Sequence, residues 1–429
     1  MLAKNKINYV YLSIVVFYFV SYSYLNFFDN LPKIAFSKGS LPLVILYFTA
    51  NFILLVSFFF EEKININKLI FLWVLLIIPY LKFFFNEIYI DNNSDPSRYY
   101  TYARQIIELK SLKANPLNPY GYLIDQPLYR YYLIPFIAIF GKLNYFFLFF
   151  NLSIYFLLTV KFVEYLKINK KFEFYEKLIT FYFLLSSAYI TKNILSVQLE
   201  WLCIVFSFII FFSYVNKKTY ILFIFLGFLA LQRQNFILVS TFIGFIYTLE
   251  NFYDAKSTIL KSIFVFTLIS SFPLIHNIIL ADPDFKFRYF SLEIGLLFFQ
   301  NPGNDVETFI QREQSSFLNF IKSLYIHLVE SLPIMKIRLL EFLGIEIRSG
   351  YTIYQKVFGL TVSLLGFFLI IYIFFISKRN LNIYLFSLII INIFPLFILG
   401  DGNWPRFQYL SYHSTILFIS IWMYKRTNK

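Results

Sequence analysis

LPLVILYFTANFILLVSFFF, residues 41–60, carries no charged side chain from end to end. About twenty apolar residues match the roughly 30 Å hydrocarbon core of a bilayer. Runs of the same kind recur. Residues 200–250 read EWLCIVFSFIIFFSYV, NKK, TYILFIFLGFLAL, QRQN, FILVSTFIGFIYTLE: three apolar runs separated by short polar turns. Further runs occupy 8–28, 67–86, 143–162, 177–191, 258–280, 356–377, 381–399 and 408–424. The pattern predicts an all-α, polytopic membrane protein with about twelve transmembrane helices.

Composition agrees with that pattern. Of 429 residues 59% are apolar and 14% charged, against roughly 45–50% and 25% in soluble globular chains. Mean hydropathy is +0.65. The 59 Phe and 35 Tyr accompany abundant Ile, Asn and Lys, the residues of AT-rich codons, so aromatic clusters alone mark no site. The net charge of +14 is scattered through short loops, which argues against a nucleic-acid partner and for topology. A single cysteine, Cys203, excludes a disulfide within the chain. His276, His327 and His413 lack metal-ligand spacing.

Loop charges predict orientation. With the N-terminus cytoplasmic and segment 128–141 re-entrant or interfacial, the short inner segments hold 18 Lys/Arg and the short outer ones five. Were 128–141 to cross, the basic run at 161–177 would face outward, against the positive-inside trend. The first span has a basic flank and no small-residue cleavage site, so it reads as a retained anchor. The expected organisation is therefore N-terminal spans at 1–86, a first extracytoplasmic loop at 87–141, a transmembrane core at 142–281, a second outer loop with amphipathic helices at 282–355, and C-terminal spans at 356–429.

Unusual polar residues fall on the outer face of this scheme. DNNSDPSRYYTYARQI, residues 91–106, opens a helix after a span. Ser94 or Asp95 suits the N-cap and Pro96 the first helical position. Asp95 either only caps that helix or is a carboxylate at the membrane boundary able to accept a proton, with Asp91 nearby in sequence. Arg98, one turn on, would keep it ionised or contact a phosphate. DQPLYRYYLIPFIAIFG, residues 125–141, suits a half-helix dipping into the membrane. Arg130 at its start either snorkels to headgroups or faces a cavity above Asp95. Arg233 in QRQN and Arg406 in DGNWPRF break the charge trend on the outer side, and guanidinium pairs bidentately with phosphate oxygens. Gln198 and Glu200 in SVQLEW either end a solvated helix or bind sugar hydroxyls. No nucleotide-binding motif is present, so a sugar donor, if used, is expected to be lipid-linked.

In this order the pieces resemble the GT-C superfamily of membrane glycosyltransferases, which includes protein O-mannosyltransferases and lipid A aminoarabinose transferases. The resemblance rests on Asp95 followed by Tyr99-Tyr100-Thr101-Tyr102-Ala103, on Gln126-Pro127-Leu128 through Phe140-Gly141, on Leu231-Gln232-Arg233-Gln234-Asn235, and on Pro405-Arg406-Phe407 before a late helix. The chain departs from the family in its extra early span, in having Asp95-Pro96 where paired acids are usual, and in lacking a C-terminal soluble domain. The resemblance implies transfer from a polyprenyl-phosphate sugar to a glycan, lipid or protein acceptor, outside a bacterial cytoplasmic membrane. It implies Asp95 as base, Arg98, Arg130, Arg233 and Arg406 toward the donor phosphate, and Asp91, Tyr99, Tyr100, Gln198 and Glu200 toward substrate. Members differ in metal use; a divalent cation is a candidate cofactor, no organic cofactor is expected, and no ligand set is evident beyond Asp91, Asp95 and Glu200. An O-antigen-type polymerase or ligase, and a transporter or flippase, are the alternatives.

Overall fold

The structure, a computed structural model, describes residues 95–110, 127–166, 178–180, 199–232, 236–272 and 413–421, together with 182, 183, 186, 190, 194, 197, 365, 366 and 368–371. Among the described residues there are helices and no strands. The helices are α1 (Asp95–Leu109), α2 (Pro127–Phe140), α3 (Tyr145–Leu166), α4 (Glu200–Val215), α5 (Thr219–Gln232) and α6 (Phe236–Ser270). Two stretches, Phe146–Tyr165 and Phe236–Ser270, are long and apolar enough to cross a membrane. The expected spans before residue 95, that at 381–399 and the outer loop at 282–355 lie outside the described residues.

Helices α4 and α5 form an antiparallel hairpin closed by Asn216, Lys217 and Lys218, with Lys217 in the left-handed region (φ 54°). Phe206 of α4 meets Phe225 and Phe228 of α5 at ring distances of 5.5 and 5.9 Å, which sets their register. Residues about 200–202 therefore lie level with residue 232.

Helix α6 is not one rod. Phe223 of α5 touches both Tyr247, at 6.1 Å, and Phe266, at 6.5 Å. In a straight helix those two residues would stand about 28 Å apart. The chain reverses at Ala255, which leaves helical geometry (φ −141°, ψ 35°), and both halves return along α5. The expected span at 236–250 and the described part of that at 258–280 are thus two antiparallel helices, but the inner loop expected at 250–261 contracts to a kink. Helix also runs past the expected end at 162 to Leu166, because nothing in KFVEYL breaks it.

Small residues let α6 approach α5. A Cβ on Gly227 would lie 2.9 Å from Cβ and Cγ2 of Ile269. One on Gly244 would lie 3.3 Å from the Phe223 ring. Hydroxyls inside the bundle are mostly satisfied within their own helix. Thr159, Ser207, Thr248, Ser262 and Ser420 each donate to the carbonyl four residues back. That is how a hydroxyl is carried in an apolar helix without a second helix to receive it.

Helix α2 is bounded as its sequence suggests. Pro127 opens it, where a missing N–H costs nothing, and Gly141 (φ 72°) closes it while donating to the Ile137 carbonyl at 2.8 Å. Asn144 then caps α3, its side-chain oxygen accepting from the Phe146 and Phe147 amides. Phe136 packs on Phe146, Phe147 and Phe150, and Tyr132 packs on Phe147 and Trp201. So α2 lies across the first two turns of α3 and the first turn of α4.

The Gly227 contact has a measurable consequence. Gly227→Ala gains about 1 kcal/mol of helix propensity but overpacks against Ile269 at a cost of about 1–3 kcal/mol. Thermal unfolding in detergent is expected to show a lower Tm for the variant. An increase would mean that α5 and α6 separate at no cost.

Candidate functional site

Helix α1 begins at Asp95-Pro96, and its Tyr99, Tyr102 and Ala103 repeat at helical spacing on one face. Ala103 is fully buried, and its small side chain lets α1 lie close on α2. The opposite face is exposed and carries the Arg104–Glu108 ion pair, 2.5 Å across one turn. A pair this exposed adds little stability.

Against the tyrosine face sits Arg130 of α2. Its Cζ lies 5.0 Å from the centre of the Tyr102 ring and 5.7 Å from that of Tyr99. Only 5% of Arg130 is exposed. It is not extended toward headgroups, as a snorkelling side chain would be. Two aromatic faces offer a desolvated cation about 2 kcal/mol. Removing a charge from water costs several kcal/mol even after relaxation, and arginine does not escape by losing its proton. Among the described residues Arg130 has no carboxylate partner, and its Nε meets no acceptor. No ion pair balances this charge among the described residues. Burial, foremost, holds the Tyr102 hydroxyl well above the ordinary phenol range, keeping it protonated and able to donate.

The tyrosine layer continues into the bundle. Tyr129 meets Tyr99 edge-on at 5.4 Å and stacks with Tyr132 at 6.2 Å. The Tyr132 hydroxyl donates to the side-chain oxygen of Asn151 on α3, and its ring lies 5.6 Å from Trp201. The Tyr129 hydroxyl sits beside the Trp201 indole and within electrostatic reach of Glu200, without forming a well-aligned hydrogen bond. Glu200 opens α4 and is 1% exposed, so the solvated helix end is corrected: neighbouring helices cover it. Its charge complements the amide-rich N-terminus of that helix. Gln232, the last residue of α5, is fully buried at the same level.

This end of the bundle therefore gathers Tyr99 and Arg130, both singled out in the sequence, with Glu200. Tyr100 sits on the flank of α1, half-buried and packed at the edge of the core. For Asp95 and Arg98 only the backbone, at the start of α1, is described. Asp91, Gln198, Arg233 and Arg406 lie outside the described residues. Among the described residues no three His, Cys, Asp or Glu side chains gather.

Sequence reasoning passed over Tyr129, Tyr132, Asn151 and Trp201 as site residues. A signal existed for three of them. Tyr129 and Tyr132 repeat at helical spacing on either side of Arg130, and Asn151 interrupts an otherwise apolar run. The aromatic bias of the chain hid all three.

The opposite end of the bundle is closed differently. Tyr165 exchanges hydrogen bonds with the Asn216 side chain, the Thr219 and Tyr247 hydroxyls pair at 2.8 Å, and Tyr214 donates to Glu250 at 2.7 Å. There each polar group has an answering neighbour.

An unbalanced buried cation predicts an unusual mutational result. Arg130→Met keeps the apolar stem and removes the charge, so Tm in detergent is expected to hold or rise. A loss of about 3–5 kcal/mol, the usual result of breaking a buried ion pair, would show that a carboxylate balances it. No protein-family model, curated protein or solved structure matches this chain.

Proposed function

We propose that the chain is a GT-C-type glycosyltransferase with about twelve transmembrane helices, taking a sugar from a polyprenyl-phosphate donor on the extracytoplasmic side of a cell membrane. The observation that carries the reading is the buried Arg130 against Tyr99 and Tyr102, with no carboxylate paired to it among the described residues. Such a site suits a phosphate that arrives through the bilayer. The position of α2, laid across the starts of α3 and α4, supports a re-entrant or interfacial segment.

In this reading Asp95 accepts the proton of an acceptor hydroxyl. The hydroxyl oxygen forms a bond to the anomeric carbon as the bond from that carbon to the phosphate oxygen breaks, and the electron pair leaves with the lipid phosphate. A positioned base contributes about 10²–10⁴-fold. A guanidinium aimed at the charge growing on the phosphate contributes on the order of 10²–10³-fold. Arg130 takes that role here, with Arg98, Arg233 and Arg406 as further candidates. The acceptor is an envelope glycan, lipid or protein.

Membranes containing the full chain, supplied with polyprenyl-phosphate sugars labelled in the sugar, are expected to move label out of the phosphate lipid. Asp95→Asn and Arg130→Met should each lower that rate at least a hundredfold at normal protein levels. Full transfer by Asp95→Asn would reduce Asp95 to a helix cap. Movement of intact labelled lipid or free sugar across reconstituted vesicles, without transfer, would instead identify a transporter.

A further inference from the structure

Seven hydroxyls among the described residues turn back to the carbonyl four residues earlier. Ser240 does not. It stands in the second turn of α6, fully buried, and its Oγ has no partner. Gln232 is fully buried with neither its amide nitrogen nor its oxygen bonded. The Trp201 indole N–H, 1% exposed, has beside it the Tyr129 hydroxyl but makes no well-aligned hydrogen bond. Native interiors leave few such atoms, and each calls for a reason.

Their placement is not scattered. The α4–α5 register sets Gln232 level with Trp201. Gly244 lies against Leu226, so Ser240, one turn earlier on α6, falls about one turn from the end of α5. All three belong to the end of the bundle that holds Arg130. At the opposite end the polar groups pair among themselves.

On the basis of the glycosyl-transfer reading, we propose that Gln232, Trp201 and Ser240 form the subsite for the donor's sugar ring, and that this ring is a neutral sugar with adjacent hydroxyls. The chemistry follows from the groups. A carboxamide presents a donor and an acceptor side by side, which matches two neighbouring hydroxyls, each able to give and to take a hydrogen bond. The indole N–H only donates, and Ser240 does either. None of the three is charged, so they suit a neutral ring, and a uronate would set its carboxylate near the buried Glu200 carboxyl. The Tyr132 ring beside Trp201 supplies an aromatic wall. Arg130 holds the phosphate and these three residues read what is attached to it.

The discriminating variant is Gln232→Leu, similar in size and apolar. A buried amide without partners costs stability, and replacing it by an apolar group of the same shape relieves that cost. The variant's Tm without added lipid is therefore expected to equal or exceed that of the wild type. Binding is measured on the full chain in nanodiscs with polyprenyl phosphate alone and with polyprenyl-phosphate-linked glucose, mannose and arabinose. Gln232→Leu should weaken the best sugar lipid about tenfold, the loss of one good hydrogen bond, and leave polyprenyl phosphate unchanged. Trp201→Phe, which removes only the N–H donor and some ring area, should act in the same direction. Arg130→Met should weaken both kinds of lipid.

Unaltered sugar-lipid affinity in Gln232→Leu and Trp201→Phe, or a marked fall in Tm for Gln232→Leu, would assign these atoms to internal water and overturn the subsite, leaving the glycosyl-transfer reading intact. Wild-type protein that binds none of the four lipids would overturn that reading, and the subsite with it. Tighter binding of a polyprenyl-phosphate uronate than of any neutral sugar would overturn the subsite's preference for a neutral ring.

Discussion

A polar atom inside a bundle this apolar must find its partner in its own helix or on one neighbour, because neither lipid nor hydrocarbon side chains offer one. Everything distinctive in this structure follows from how that constraint is met. Backbone groups are satisfied by helix. Most interior hydroxyls return to the carbonyl one turn back. At the Asn216 end, turn residues and tyrosines pair across helices. At the Glu200 end Arg130, the Glu200 carboxyl and several neutral groups are buried with fewer hydrogen bonds among the described residues, so the two ends are chemically unlike.

The difference in pairing has a geometric origin. Helix α2 closes the Glu200 end by lying across α3 and α4, and its short length and Pro135 suit it to crossing their starts. This brings Tyr129, Arg130 and Tyr132 inward together, since one helical turn of LYRYY presents three large polar-tipped side chains. Helix α1 then covers Arg130 with two ring faces. The stabilisation those rings give is smaller than the cost of desolvating a charge, which is why the proposed reading sets a phosphate there.

Much of the helical framework could be read from the chain. The runs at 200–215 and 219–231 are helices with nearly those limits, because apolar composition and the NKK turn leave little choice. Pro127 and Gly141 mark α2 for equally local reasons. The reversal inside α6 was legible as two runs, but not its tightness: ENFYDAKSTILK holds Asn251, Asp254 and Ser257, which suit a turn, but no Gly or Pro that would place the kink at Ala255. The site was less legible. Glu200 looked equally suited to a wet helix end, since its neighbours Gln198 and Asn193 are polar. Packing of α2 and α5 at the start of α4 accompanies its burial.

By itself the sequence determined the helical class, the apolar runs and the short list of polar residues that interrupt them, because those depend on periodicity, composition and local capping. Tertiary structure decided which of those residues share a surrounding: that Tyr102 rather than Tyr100 faces Arg130, that Gln232 stands level with Trp201, and that Ser240 departs from the habit of its fellow hydroxyls. Such facts depend on the register and crossing of helices far apart in the chain. No local pattern encodes that register, which is set by packing such as that of Ile269 on the Gly227 backbone.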